Sequence, residues 1–132
     1  MEFEFPWPLS QGEWLAWSAA IVTLGFGLVL LFAPALSLRV LRLRPTETHP
    51  EAVGEARATM AGFYLGLGLC CVLLGNQPFL YLALGLSWGL TAFGRIVSMM
   101  SDRGNTPYNW ISLALEIVLA AMPLLFVLGI VA

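Results

Sequence analysis

Four apolar stretches, each about 22–24 residues long and divided by short polar breaks, leave this chain few ways to fold. They run from about residue 13 to 36, 52 to 74, 79 to 100 and 108 to 131. A helix of about 20 apolar residues crosses the roughly 30 Å hydrocarbon layer of a bilayer. Within that layer every backbone N–H and C=O must pair inside the segment, so each stretch is expected to be helical. Composition supports the same reading. The chain is 59% hydrophobic and 11% charged, against roughly 25% charged in a soluble domain, so it lacks the polar surface to face water. The expected fold class is all-α: an integral membrane four-helix up-down bundle, with residues 1–132 forming one domain.

The charges are few and sorted by position. Net charge is −2 and all six basic residues are arginine, a balance that gives no sign of a nucleic-acid-binding face. Arg39, Arg42 and Arg44 lie in the loop after the first span, and Arg103 in the loop after the third. The N-terminal arm, the GNQP turn (Gly75 to Pro78) and the C-terminus carry no basic residue. The positive-inside rule therefore expects both arginine-bearing loops in the cytoplasm and both termini outside. Trp7, Trp14 and Trp17 fit an aromatic belt at the outer interface. Leu38 to Leu43, with Arg39 and Arg42 between apolar residues, suits a short interfacial helix. Pro34 is expected to bend the exit of the first span. Glu2 and Glu4 stand where a secretory signal would be basic.

Apart from Glu13 at the mouth of the first span, four charges belong to the spans: Glu55, Arg57, Arg95 and Glu116. At about 1.5 Å per residue, Arg57, Arg95 and Glu116 all fall in the cytoplasmic half of the bilayer. An ionised group at that depth needs a partner, so the four are expected to meet in one cluster. Two roles fit. As two acids and two bases they form a neutral ion-pair network that fixes helix register. Alternatively they form a polar pocket beneath an apolar cavity, able to hold the head group of a lipid or quinone-like ligand or to move a proton. Asn109, Ser112, Glu116, Ala120 and Pro123 trace one polar or small stripe on the fourth span, and Trp88, Thr91, Arg95 and Ser98 another on the third. Gly62/Gly66 and Gly85/Gly89 repeat a small-xxx-small spacing that expects close helix contacts, and Gly25 and Gly27 expect the same in the first span.

Other candidates read plainly. Cys70 and Cys71 are adjacent on a helix and fit small packing residues rather than a bridge or a metal pair. His49, between Glu47 and Glu51 in a polar loop, reads as solvated, so no metal is expected. No nucleotide loop, nucleophile motif or haem-type histidine pair occurs, and no cofactor is assigned. Glu116 is the best candidate should an acid or base be needed.

The run EARATMAGFYLGLGL (Glu55 to Leu69), followed by FGR (Phe93 to Arg95), the SDRGNTP loop and LALE (Leu113 to Glu116), resembles a family of small bacterial four-helix membrane proteins that form a domain of unknown function. The likeness spans about residues 20–128 and carries over Glu55, Arg57, Gly62, Gly66, Gly94, Arg95 and Glu116. Ala61 departs from it, since the family often has glycine there. A looser likeness to DoxX-like proteins rests on architecture alone. The resemblance implies the bacterial cytoplasmic membrane and no particular activity. The leading expectation is a binding module for a hydrophobic ligand, a lipid or a partner membrane subunit. The alternatives are a small membrane enzyme using Glu116 on a lipid-soluble substrate, and an oligomeric transporter or channel.

Overall fold

A computed structural model describes residue 5, residues 7–74 and residues 77–132. Readings that fall on Glu2, Glu4, Gly75 and Asn76 lie outside the described residues. Among the described residues all regular structure is helical, and four helical segments are long and apolar enough to cross a membrane.

The first crossing is α1, Gln11–Phe32. It opens on a capping box: Ser10 Oγ accepts from Glu13 N at 3.1 Å, and Glu13 Oε2 reaches back to accept from Leu9 N at 2.7 Å. It stops at Ala33, because Pro34 has no N–H and pushes the residue before it out of helical geometry. Proline then serves as the first residue of a short helix, α2, Pro34–Val40. The expected bend is there, but α2 begins and ends earlier than the stretch 38–43 suggested. Arg42 takes a left-handed backbone (φ +59°) just beyond it.

The second crossing, Pro50–Leu74, is composite. A 3-10 turn, Pro50–Ala52, leads into one α turn, α3, Val53–Glu55. A π-helical segment, Ala56–Met60, follows, and then α4, Ala61–Leu74. The π segment has a packing reason. Ala56 and Ala61 are both buried against α1 and α2 residues such as Leu30 and Leu38. Residues five apart diverge by about 140° on an α-helix, whereas i→i+5 bonding brings them back to one side.

The third crossing is α5, Pro78–Ser101, and the fourth α6, Pro107–Val127. Thr106 caps α6 by accepting from Asn109 N. The fourth crossing ends short of residue 131 because Gly129 (φ +75°) closes a Schellman motif. Ile130 N bonds Leu125 O and Gly129 N bonds Phe126 O. The tail then turns back, and Gly12 N donates to Ala132 O at 2.8 Å, so residues 12 and 132 meet at one end of the bundle.

Packing within the bundle is uneven. α1 lies against both α4 and α6, and α5 lies against α6, while α4 and α5 touch sparsely despite being neighbours in sequence. Ala16, Ala19 and Ala20 of α1 join Tyr81, Leu84 and Trp88 of α5 and Leu119 and Ala120 of α6 in the main core. Large apolar residues such as Phe32, Phe79, Leu90 and Ile111 are exposed around the outside, a surface suited to lipid.

The close contacts also correct the glycine assignment. A Cβ on Gly62, Gly66 or Gly89 would meet no atom within 4 Å, so these three do not seat a neighbouring helix, and neither does Gly25. Gly85 does, but its partner is α6: a Cβ there would lie 2.5 Å from Leu124 Cγ and 3.2 Å from Ala120 O. Another tight site joins α1 to α4, where Gly27 faces Leu65 and Gly68 faces the Leu24 backbone at 3.0–3.1 Å. Small-residue spacing marks where a helix could approach, and here the approaching helix comes to a different face.

Gly68→Leu should therefore force α1 from α4 and cost about 1–3 kcal/mol, the usual range for overpacking. Gly89→Ala should be neutral or stabilising by up to about 1 kcal/mol, since it replaces glycine inside an open helix face. Thermal unfolding in mild detergent, followed by tryptophan fluorescence, separates the two. Equal midpoints for Gly68→Leu and the parent would refute the tight α1–α4 contact.

Candidate functional site

Two features stand out inside the bundle: a buried ion pair between α5 and α6, and an open groove between α4 and α5. The pair forms because Arg95 and Glu116 each sit on the inward side of their helix. Arg95 Nε donates to Glu116 Oε1 and Oε2 at 2.8 and 2.9 Å, and Nη2 donates to Oε1 at 2.6 Å. Nη1 donates to Asn109 Oδ1 at 2.7 Å. Asn109 in turn donates from Nδ2 to Gly104 O at 2.7 Å, tying the α5–α6 loop into the network. Gly104 is required there, since a Cβ would lie 3.0 Å from both Asn109 Nδ2 and Ser98 O. The Glu116 side chain is 6% exposed and that of Arg95 23%, so the carboxylate depends wholly on this fork for the solvation it has lost.

Glu55 and Arg57 do not join this network. Both are exposed; Glu55 Oε2 accepts from Thr59 Oγ1 at 3.1 Å, and Arg57 makes no side-chain hydrogen bond or ion pair among the described residues. The expected cluster of four is thus a pair completed by Asn109. The cause is the separation of α4 from α5, which carries the start of the second crossing away from Arg95. Asn109 had been legible only as a member of the fourth-span stripe; its spacing of two turns from Glu116 was the available signal. His49 Nδ1 bonds Glu51 Oε1 at 3.0 Å on an exposed loop. At the same end of the bundle the Arg42 guanidinium lies 4.7 Å above the Tyr108 ring, and Tyr108 OH donates to Val40 O at 2.9 Å. Among the described residues no three His, Cys, Asp or Glu side chains gather as a metal site.

The groove has a volume of about 660 Å³ and lies between α4 and α5, with α1 behind it. Gly62 and Gly66 line it from α4, Ser87 and Thr91 from α5, and Tyr64 and Trp88 stand at its inner side. Its back is rigid. Trp88 Nε1 donates to Thr23 Oγ1 at 2.9 Å, and that hydroxyl donates to Ala19 O at 2.8 Å. Phe26, Tyr64 and Trp88 pack together with ring centroids 5.7–6.4 Å apart. Tyr64 thus lines the groove and packs on the Trp88 ring that closes its inner side. Two of the glycines that seat no helix, Gly62 and Gly66, leave room for this groove. Cys70 is exposed at its wall, whereas Cys71 is buried.

Removing one partner of a buried pair leaves the other bare, which typically costs about 3–5 kcal/mol. Arg95→Leu should fall in that range. Glu116→Gln should cost less, because the amide oxygen still accepts from Arg95. Arg95→Leu combined with Glu116→Leu should recover part of the single-variant loss. Equilibrium unfolding in mixed micelles measures all three, and a double variant as unstable as the sum of the singles would contradict the pairing.

Comparison with curated proteins finds no match, and comparison with solved structures finds none either. The family described as Domain of unknown function (DUF4345) matches residues 12–128. That match takes in all four crossings, Arg95, Glu116 and the groove, and the chain belongs to this family.

Proposed function

We propose that the chain is a non-enzymatic membrane module whose groove receives an apolar, chain-bearing molecule directly from the bilayer. The observation that carries this is the 660 Å³ space between α4 and α5, which lies within the spanning segments. Hydrocarbon surrounds it, so lipid is the occupant at hand. Its dimensions favour a chain over a helix. From Thr59 to Cys70 the lining extends about 16 Å at the usual rise. Spread over that length, the volume gives a section of about 40 Å², about a third to a half that of a helix about 10–12 Å across. An aromatic inner side and a few polar groups match the general make-up of small-molecule sites. Glu116, with both oxygens engaged by Arg95, suits a role in positioning helices better than one as acid or base.

The natural setting for such a module is the bacterial cytoplasmic membrane, with the Arg39–Arg44 loop in the cytoplasm and both termini outside. The arginine asymmetry supports that orientation.

Gly66→Leu tests the groove. Nothing lies within 4 Å of a Cβ at this position, so a side chain there sets out into the open groove rather than into a neighbouring helix. Native mass spectrometry of the parent in nanodiscs or mild detergent should detect retained lipid. In Gly66→Leu retention should fall several-fold with the melting midpoint unchanged or raised. Undiminished retention would overturn the proposal. For orientation, Thr48→Cys should react with a membrane-impermeant maleimide only once the cytoplasmic side is opened; labelling of intact cells would reverse the assignment.

A further inference from the structure

The hydrogen-bonding character of the groove says more about its ligand than its shape does. Ser87 Oγ gives its only proton to Ala83 O at 2.7 Å, and Thr91 Oγ1 gives its proton to Ser87 O at 2.8 Å. Thr59 Oγ1 donates to Glu55 at 3.1 Å, and Thr23 is spent on Ala19 O and Trp88. A back-bonded hydroxyl in a membrane helix has its donor satisfied and keeps lone pairs free. Ser87 and Thr91 are exposed in the groove wall, so they meet a ligand as acceptors. The strongest complementary group is Tyr64, whose hydroxyl has no hydrogen bond among the described residues, the exposed Cys70 thiol being a much weaker donor.

Position and charge narrow the class further. Ser87 and Thr91 stand near the middle of Pro78–Ser101, far from both interfaces. An ionic or zwitterionic head group is costly at that depth. Arg95 and Glu116 are not among the lining residues, and their charges sum to zero, so no net charge is set against an ion there. A ligand polar group at mid-depth must therefore be small, uncharged and able to donate. A hydroxyl also accepts, and so can use Tyr64 as well. A quinone or an ether only accepts, so it can use Tyr64 but gains no hydrogen bond from Ser87 or Thr91.

We infer that the groove selects an uncharged lipid alcohol, recognised through its hydroxyl by Ser87 and Thr91, over ether or quinone counterparts of the same length. This rests on the groove being a lipid site, and the test keeps the two claims apart. The full chain is equilibrated in nanodiscs with equal amounts of a long-chain primary alcohol and its methyl ether, and retained ligand is read by native mass spectrometry. The alcohol should exceed the ether by about three- to fifteen-fold, the worth of one hydrogen bond inside a membrane. In Ser87→Ala/Thr91→Val, which removes two hydroxyls without adding bulk, the ratio should fall to about one while total retention persists. Melting midpoints establish that this variant folds. Equal retention of alcohol and ether by the parent, a preference for the ether or a quinone, or retention of phospholipid alone would each overturn the inference. In those cases the groove itself still stands if Gly66→Leu lowers retention, and fails with it if Gly66→Leu does not.

Discussion

Helices in a bilayer gain nothing from hiding apolar surface, because lipid tails are as apolar as leucine. What holds them is the closeness of backbone to backbone, and in this protein that closeness is concentrated on α1. Its inner face is built from Ala16, Ala19, Ala20 and Gly27. Against this face α4 approaches through Gly68 and α6 through the core around Leu119 and Ala120. A hub that binds two neighbours tightly need not bring those neighbours' own neighbours together. α5 reaches the bundle chiefly through α6, where Gly85 lets Leu124 and Ala120 come close. The second and third crossings are thus each anchored on their far sides, and the space between them stays open.

The α5–α6 seam carries a second, different fastening. Arg95, Glu116 and Asn109 contribute directional bonds at the end of the bundle where the connecting loop turns. Such a network is weak evidence of net stability, since two apolar residues of similar volume often do as well. Its physical value is in register. A guanidinium fork bound by both carboxylate oxygens admits one relative height of the two helices, whereas alanine and leucine surfaces can slide. Once α5 is fixed in height against α6, Ser87, Trp88 and Thr91 are fixed in height against the groove.

Much of this was legible from residue order. Length and apolarity set four helices, Pro34 broke the first where it should, and the pairing of Arg95 with Glu116 followed from the cost of leaving either bare. Other parts were not. Which face of α4 meets α1 depends on the π segment, whose sequence cue is only that Ala56 and Ala61 are both small. Gly62 and Gly66 carry the same spacing whether they seat a helix or line a void, because a glycine records the absence of a side chain and not the reason for it. Glu55 and Arg57 belong by sequence to the same charged set as Arg95, yet no local rule tells how far apart two helices on opposite sides of a gap will stand.

The π segment links these observations. π turns are rare and recur at functional sites, and the one at Ala56–Met60 resolves a conflict between two demands on the second crossing. Ala56 and Ala61 must both meet the α1–α2 surface. Thr59, Gly62 and Gly66 must share the opposite, open side. Regular α-helical turning meets the second demand along α4 but would swing Ala56 away from α1 by more than a third of a turn. One wide turn satisfies both, and it does so where Glu55 can accept the Thr59 proton and leave that hydroxyl as another acceptor at the groove. Straightening this turn would not merely loosen the entry of a helix. It would rotate the head of the groove relative to its body, so the π turn and the shape of the groove are linked.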